Sequence, residues 1–352
     1  KGRPNIVASI GQGRPNLVLS GHMDEFPAGE GWTFPPFSGT VRNGKILGRG
    51  AGDMKAGLAV SLLAAALIKE TRVKLKGSLT LALVSDEETG GVWGTQWLLK
   101  NVRAVRGDAC LIGESSGAWA IGVGEKGVLW LRISASGVSG HAAYGQGESA
   151  IEKVFAVVDS ISKLHGKRAR PRREISALIR RQRPVVEKRW GPGTGTMADT
   201  ITVNVGSMRG GGQVNLIPQS CEAELDIRVP PGMTTAAVER EVRLRVEQLR
   251  LTTVRVEVLN RCDPYVTPVH EKLIRYLRVN SQSVSRREAL SVVRLGYTDG
   301  RFFRRAGIPT AIYGPRVYNM GGPDESVDEK ELLRIARVHV GVIVDYLAGR
   351  TA

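Results

Sequence analysis

The chain has 352 residues, of which 42% are hydrophobic and 24% are charged. This length and composition suit a globular protein of two domains and exclude an intrinsically disordered chain. Lysine and arginine outnumber acidic residues by 50 to 34, a formal net charge of +16, so a nucleic-acid partner has to be weighed. The densest basic run, residues 163–183, contains no Phe, Tyr or Trp to stack on bases, which favours an anionic small-molecule substrate over nucleic acid.

Cysteine content and apolar runs indicate the compartment. The three cysteines, Cys110, Cys221 and Cys262, are too few and too widely spaced for a disulfide framework, and they predict a reducing, cytoplasmic setting. The longest apolar run, residues 57–68, contains Ser61 and is shorter than the roughly 18 residues of a membrane-spanning candidate. We therefore expect no membrane association, and the first residues show no signal-peptide pattern.

The first third of the chain alternates predicted strands with predicted helices. An Ala- and Leu-rich stretch predicts a helix over residues 54–68, and a second helix is expected around residues 92–99. This alternation is typical of an α/β domain. The strands are predicted from apolar, β-rich runs at residues 6–10, 17–19, 77–84 and 109–112.

Three of these strands end in imidazole or carboxylate side chains, and another Asp stands in a Gly-rich turn before the first helix. Open α/β sheets place their sites at the carboxyl ends of strands, and imidazole with carboxylates is a ligand set for zinc or manganese. Singly, such residues are more often core histidines, helix caps or solvated acids; their repetition at three strand ends favours a metal site. The residues are His22, Asp24, Asp53, Glu87, Glu88 and Glu114.

The order of these residues also predicts a division of labour. Glu87 and Glu88 are adjacent, so they can point in different directions, one toward a metal ion and the other toward a proton in transfer. Asp24 lies two residues after His22 and is placed to hydrogen-bond the imidazole and fix its tautomer. We therefore count Asp24 and Glu87 as predicted catalytic residues.

Several motifs, in order, carry a resemblance to a known enzyme family. They are SGHMDEFPAG, WTFPPFSG, GRGAGDMKAG, DEETGG and GES. The chain resembles the metallohydrolase family of acetylornithine deacetylase, succinyl-diaminopimelate desuccinylase, aminoacylase and glutamate carboxypeptidase over most of its length. The resemblance implies an α/β fold, with an αβα-sandwich catalytic domain of the zinc-peptidase type and an inserted α+β, ferredoxin-like dimerisation or lid domain. Family members usually begin with a helical segment ahead of the first strand, where this chain starts almost at that strand.

The resemblance also implies roles for the acidic residues. Asp53 bridges two metal ions, and His22 and Glu114 complete one of the two sites. Glu88 belongs to the other site. Glu87 is the general base that activates the metal-bound water.

The middle of the chain predicts the smaller domain. Its expected order, β-α-β-β-α-β, is the ferredoxin-like pattern. The predicted boundaries are residues 1–118 and 262–352 for the catalytic domain and residues 119–261 for the inserted domain. By the resemblance this domain forms a homodimer or higher homo-oligomer, in which His141 reaches the partner's active site and stabilises the oxyanion.

Three further residues are predicted to bind substrate. Asn215, in GGQVNLIPQS, and Arg228, in ELDIRVPPG, resemble substrate-contacting positions. Arg301, in GYTDGRF, lies in what resembles the substrate-binding loop. An Asn that caps a turn and an Arg that is an ordinary strand residue are the alternatives for the first two. Guanidinium groups suit a substrate carboxylate.

The last segment departs from the family pattern at one position. Relatives place a metal-binding His four residues before the Glu that corresponds to Glu325, and this chain has Gly321 there. Because glycine offers no ligand, we expect one firmly bound divalent ion (Zn, Mn or Co) per subunit. A second ion is then weak, absent or held by a substitute such as Asn319 or Asp324.

The sequence thus predicts a metal-dependent hydrolase that cleaves an amide-type C–N bond of a small carboxylate-bearing substrate, with metal-activated water and a Glu general base. A deacylase of N-acyl amino acids and a dipeptidase or carboxypeptidase fit equally. Two alternatives stay open. One is a hydrolytic deaminase acting on an activated amino-bearing ring, and the other is a catalytically reduced relative that binds an anionic ligand or a partner protein.

Overall fold

A computed structural model describes residues 2–349 and divides the chain into two compact units. The first unit comprises the residues up to 124, residues 266–292 and the residues from 298 onward. The second unit comprises residues 125–265 and 293–297. The sequence placed both domain boundaries slightly earlier in the chain and did not assign residues 293–297 to the inserted domain.

The first part of the first unit follows the predicted alternation. The helices begin and end slightly later than the sequence predicted. Short turns of π or 3-10 helix precede or follow them at Ala51–Lys55, Glu87–Thr89 and Arg103–Val105. The regular elements are β1 (Ile6–Gly11), β2 (Asn16–His22), β3 (Val41–Arg42), β4 (Lys45–Leu47), α1 (Ala56–Glu70), β5 (Ser78–Val84), α2 (Thr95–Asn101), β6 (Ala109–Ile112) and β7 (Ala120–Glu125).

The second unit is an antiparallel sheet in the strand order β11-β8-β10-β9, packed against α3 and α5. Alternate residues of β8 and β10, such as Leu131 and Ile227, are fully buried beneath these helices. This is the ferredoxin-like arrangement that the sequence predicted, with α4 as an additional helix. The elements are β8 (Gly127–Ser136), α3 (Ala150–Ser162), α4 (Arg173–Trp190), β9 (Thr202–Gly210), β10 (Ser220–Val229), α5 (Thr235–Gln248) and β11 (Val254–Cys262).

The last part of the chain completes the first unit. Its main sheet has the order β1-β5-β2-β6-β14-β7-β12, with β13 beside β7, and a small sheet has the order β15-β16-β4-β3. The elements are β12 (Tyr265–Val266), α6 (Lys272–Ser285), β13 (Leu290–Arg294), α7 (Gly300–Arg305), β14 (Thr310–Ile312), β15 (Val317–Tyr318), β16 (Ser326–Asp328) and α8 (Glu329–Ala348).

Helices cover both faces of the main sheet. On one face, α2 and α7 pack over Val18, Val84 and Ile112, which are fully or almost fully buried. On the other face, α1 packs with α8, and α8 packs with α6. Every residue of β2 is buried, as expected for a central parallel strand with helices on both faces. The first unit is therefore the αβα layer arrangement that the sequence predicted.

The register of the central strands sets the position of the candidate site. β5, β2 and β6 are parallel, with His22 paired to Val84 and Ser20 paired to Ile112. The carboxyl ends of these three strands therefore lie side by side at one edge of the sheet. The residues that follow them in the chain meet at that edge.

Helix α1 belongs to a strongly apolar stretch of the chain. The stretch Ala51–Glu70 is long and apolar enough to cross a membrane by length and composition alone. However, 56% of its most apolar window is buried inside the protein, and α1 packs against β2, β5 and α8. These contacts are those of a core helix.

Candidate metal centre

His22 is the last residue of β2, and only 1% of it is exposed. Its Nδ1 donates to the backbone carbonyl oxygen of Asp24 at 2.9 Å, and a carbonyl oxygen only accepts. Its Nε2 lies 3.1 Å from Asp53 Oδ1 and 3.5 Å from Glu114 Oε1. The backbone contact therefore fixes the ring so that Nε2 faces two carboxylates.

Asp53 is presented by the turn that precedes α1. The backbone N–H groups of Gly52 and Asp53 donate to Glu325 Oε1, at 2.9 Å and 3.1 Å. Glu325 is 1% exposed, so a buried carboxylate from the end of the chain holds this turn. Held in this way, the turn directs the Asp53 carboxylate toward Nε2 of His22.

Glu114 reaches the same place because α1 and the end of β6 approach closely. A Cβ atom on Gly57 would lie 2.0 Å from the carbonyl oxygen of Gly113. Only glycine permits this contact between the helix and the loop that carries Glu114. We infer that a larger residue at either glycine displaces Glu114 from the cluster.

Glu87 and Glu88 lie in the short turn after β5, and Asp24 organises that turn. Asp24 Oδ1 accepts from the Glu87 N–H at 3.2 Å, and Oδ2 accepts from the Glu88 N–H at 3.1 Å. The Asp24 carboxylate is 3.7 Å from His22 Nδ1. The hydrogen bond that the sequence predicted from Asp24 to the imidazole is thus made by the backbone carbonyl, while the carboxylate holds the two glutamates.

Several carboxylates lie close together in this cluster, and they raise the pKa values of three of its side chains. Burial by itself lowers the pKa of His22, but the hydrogen bonds to Asp53 and Glu114 outweigh it and hold that pKa well above its usual range. Burial, with Asp299 and Glu114 nearby, raises the pKa of Glu87 well above its usual range. Burial and the neighbouring Asp53 raise the pKa of Glu88 to about 8. Each of these shifts is relieved by a positive charge placed among the carboxylates.

The residues present fit a divalent metal ion. Two groups of side chains each bring three ligand atoms within 4.8 Å of one another. One group is His22 with Asp53 and Glu114, and the other is His22 with Glu87 and Glu88. Glu88 Oε1 is buried and has no hydrogen-bond partner. A set of one imidazole and two carboxylates is that of a zinc or manganese site. The second set differs from the sequence prediction, which grouped Glu88 with Asp53.

A different network occupies the region of the missing histidine. The Gly321 carbonyl oxygen accepts from Arg49 Nη2 at 3.0 Å, and Arg49 Nη1 donates to Glu325 Oε2 at 2.6 Å. Both oxygens of Glu325 are therefore already bound. Of the predicted substitutes, Asp324 accepts from the N–H and hydroxyl of Thr33 at 2.9 Å and 3.0 Å. Asn319 is exposed, and Asp324 belongs to neither ligand set found among residues 2–349.

Arg301 lies in the first turn of α7. It is 3% exposed, its Nη1 is 3.5 Å from Glu87 Oε1, and its Nη2 donates to the Gly90 carbonyl oxygen at 3.0 Å. A buried guanidinium with these partners lies beside Glu87, and the prediction that Arg301 holds a substrate carboxylate stays a prediction. Sequence reasoning found the residue but not the direction of its side chain.

The other predicted residues belong to the second unit. His141 is exposed and begins a short 3-10 turn, with Nδ1 accepting from the Ala143 N–H at 3.2 Å. The Ala142 N–H donates to the Asn215 carbonyl oxygen at 2.9 Å, so His141 and Asn215 lie in neighbouring segments. Their roles toward a substrate stay predictions.

Arg228 lies on β10 with a partner that sequence reasoning missed. Its Nη2 donates to Asp226 Oδ2 at 2.8 Å, and its guanidinium lies 4.8 Å from the centre of the Tyr297 ring. Opposite charges two residues apart on one strand share a face, which was the available signal. The prediction that Arg228 binds substrate remains a prediction, with Asp226 now placed beside it.

Comparison with known proteins decides the family. Residues 18–345 match the sequence model of Peptidase family M20/M25/M40. The chain belongs to this peptidase family. The M20-family chain is 29% identical to a succinyl-diaminopimelate desuccinylase from Methylobacterium radiotolerans, over 98% of this chain and 85% of that protein.

Solved structures show the same fold. The M20-family metallo-carboxypeptidase Sso-CP2 from Sulfolobus solfataricus has a TM-score of 0.85 at 18% identity, covering 98% of this chain and 88% of that chain. The Bacillus subtilis YXEP protein, described as a dinuclear metal-binding peptidase, has a TM-score of 0.67 at 15% identity, covering 98% and 85%. The family and fold class predicted from the sequence are confirmed, and the chain is an M20 metallohydrolase that acts on C–N bonds.

Proposed function

We propose that this M20 chain hydrolyses an amide-type C–N bond of a small carboxylate-bearing substrate, with one firmly held divalent ion per subunit. The observation that carries this proposal is the convergence of His22, Asp53 and Glu114 on one point of a buried, acid-rich cluster. The names of two relatives, a desuccinylase and a metallo-carboxypeptidase, fall within this class of reaction. The substrate is an N-acyl amino acid or a short peptide.

His22, Asp53 and Glu114 are the residues that hold the ion in this proposal. When bound, a zinc, manganese or cobalt ion supplies Lewis acidity toward a carbonyl oxygen and lowers the pKa of water. Nδ1 of His22 is already held by the Asp24 carbonyl, so the ring keeps its orientation when Nε2 binds the ion.

Glu87 is the proposed general base. Its carboxylate is 7% exposed, and its backbone N–H is fixed by Asp24. It takes a proton from the attacking water and passes it to the leaving nitrogen, so the same carboxylate serves in both halves of the reaction. Glu88, whose Oε1 has no hydrogen-bond partner, is available as a further ligand of the same ion.

The claim of one ion rests on the region around Gly321. Glu325 is saturated by Arg49 and two backbone N–H groups, and Asp324 is bound by Thr33. Neither carboxylate replaces the histidine that position 321 lacks. In this respect the proposal departs from the dinuclear description of the Bacillus subtilis protein.

We further propose a homodimer in a cytoplasmic setting. The family resemblance supports the dimer, in which His141 of the partner subunit stabilises the oxyanion. His141 is exposed on the second unit, as such a role requires. None of the three cysteines, all of which lie within residues 2–349, forms a disulfide, and their low number supports the reducing compartment.

The test is hydrolysis of a panel of N-acyl amino acids and dipeptides. We expect turnover that a chelator abolishes and that added divalent ion restores. Glu87→Gln should lower kcat by about 10²–10⁴-fold while the variant keeps its ion. Anion binding without turnover favours the catalytically reduced relative, and ammonia release from an amino-bearing ring favours the deaminase; either result overturns the proposal.

A further inference from the structure

We propose that Arg301 is the positioning residue of Glu87 and makes no contact with the substrate. This inference rests on the proposed function, because it takes Glu87 as the base. The guanidinium of Arg301 ties the carboxylate of Glu87 to the backbone of its own loop. The start of α7 is thereby part of the catalytic machinery although it touches neither ion nor substrate.

The guanidinium of Arg301 contacts both the Glu87 side chain and the backbone of the loop that carries it. Nη1 is 3.5 Å from Glu87 Oε1, and Nη2 donates to the Gly90 carbonyl oxygen at 3.0 Å. Arg301 and Glu87 are 3% and 7% exposed, so water does not screen their attraction. The planar, forked donor set of arginine spans two acceptors at once, which a lysine cannot reproduce.

Helix α7 also packs closely on the loop that carries Glu87. Asp299, the residue before α7, accepts from the Thr95 hydroxyl at 2.6 Å. A Cβ atom on Gly91 would lie 2.6 Å from both Asp299 Oδ1 and Phe302 Cε2. The loop can only approach α7 this closely because residue 91 is glycine, with a φ of +69°. The start of the helix is thus docked on the loop that carries the base.

A third contact restricts the guanidinium itself. It lies 4.2 Å from the centre of the Phe302 ring, so its plane is held between an aromatic ring and the loop. A side chain fixed in this way transmits its position to Glu87. Without it, the Glu87 carboxylate can take other rotamers, and a misplacement of about 1 Å in a reacting group costs about 10²-fold in rate.

The experiment compares kcat and KM of Arg301→Gln, Arg301→Lys and Arg301→Ala with those of the wild-type holoenzyme. We expect kcat to fall about 10²-fold with KM changed less than about threefold, because the lost group acts only on the chemical step. Arg301→Lys should recover only part of the rate, and added guanidinium ion should raise kcat of Arg301→Ala. Elemental analysis should show the same metal content in all variants.

The same helix offers a matched control. Arg305 is exposed on α7, and Arg305→Gln should leave kcat, KM and metal content unchanged. Thermal melting establishes that each variant is folded. If Arg301→Gln does not fold, Arg301→Lys, which keeps the charge, is measured in its place.

Three outcomes overturn the inference. A tenfold or larger rise in KM with kcat retained, seen only for substrates with a free carboxylate, returns Arg301 to substrate binding. An unchanged kcat shows that Glu87 needs no such support. Loss of the ion from the variants shows that Arg301 acts on the metal centre instead. Glu87→Gln separates this failure from that of the proposed function. If Glu87→Gln keeps full activity, Glu87 is not the base and the proposed function fails. If Glu87→Gln loses activity while the Arg301 variants keep theirs, only the role of Arg301 fails.

Discussion

Two acid-rich corners of the first unit differ in what neutralises their carboxylates. Around His22, the oxygens of Asp53 and Glu114 face a ring nitrogen at 3.1 Å and 3.5 Å. Around Glu325, a buried arginine and two backbone N–H groups occupy both oxygens. The first corner concentrates negative charge, and the second cancels it within the chain.

This difference distinguishes the predicted ligand set around His22 from the structural network around Glu325. Buried carboxylates are stable only when a counter-charge or several hydrogen bonds compensate their lost hydration. Arg49 provides that compensation for Glu325, whereas the His22 corner is suited to a cation from outside the chain. The two corners are also connected, since Glu325 holds the N–H groups of Gly52 and Asp53. The network around Glu325 therefore positions Asp53, one of the predicted metal ligands beside His22.

The largest effect should follow from removing a ligand. We expect His22→Ala to retain no ion after dialysis and to lose activity, because His22 belongs to both ligand sets. Asp324→Asn is the matched control in the other corner, since that carboxylate binds Thr33. Metal content of the two purified variants is the measurement. Equal loss of ion in both variants would erase the distinction between the corners.

The ion pair of Arg49 and Glu325 should contribute to the free energy of unfolding. Arg49→Met removes the counter-charge of the buried Glu325 and leaves it only two backbone N–H donors, so we expect the free energy of unfolding to fall by about 3–5 kcal/mol. Urea unfolding of the metal-free protein measures this without interference from ion binding. Arg243→Gln removes a half-exposed partner of Glu239 and should change little. A small effect at Arg49 would mean that the backbone N–H groups alone compensate Glu325.

A second buried histidine gives the smallest and most selective effect. His339 is fully buried, its Nε2 donates to the Tyr313 carbonyl oxygen at 2.7 Å, and burial lowers its pKa to about 4. Between that value and the usual pKa of about 6.5, the unfolded chain binds a proton that the folded chain does not. Stability should therefore fall as the pH falls through this window, by about 3 kcal/mol in total.

His339→Gln should flatten that part of the stability curve relative to wild type. The measurement is urea unfolding at several values of pH between 7 and about 4. Two parallel curves would mean that His339 does not titrate differently in the folded and unfolded chains. The contrast with His22 is then one of surroundings, since His22 faces carboxylates and His339 faces a carbonyl oxygen.

Sequence reasoning succeeded where strand order determines position. Parallel strands bring their carboxyl ends to one edge, so the residues after β2, β5 and β6 had to converge there. Buried apolar runs identified those strands, and His22, Glu87 and Glu114 followed from their places in the chain. The departure at Gly321 was equally visible, because a missing ligand type needs no coordinates to be recognised.

The remaining features depend on side-chain direction and on contacts between distant segments. The sequence does not show that Arg301 turns toward Glu87, or that Arg49 pairs with a residue 276 positions later. Asp24 was assigned to the imidazole, but its carboxylate takes two backbone N–H groups instead. The basic run of residues 163–183 leads into α4, which extends from Arg173 to Trp190 and passes through Pro184, a residue that ordinarily ends a helix.

The proposal of a single metal site is tested most simply by the number of divalent ions per subunit. Elemental analysis of the gently purified wild-type protein should be paired with protein concentration from amino-acid analysis. We expect about one ion, held by a three-ligand set of the kind that binds zinc. Two tightly held ions per subunit would contradict it, because a second site must then exist despite Gly321 and the saturated carboxylate of Glu325.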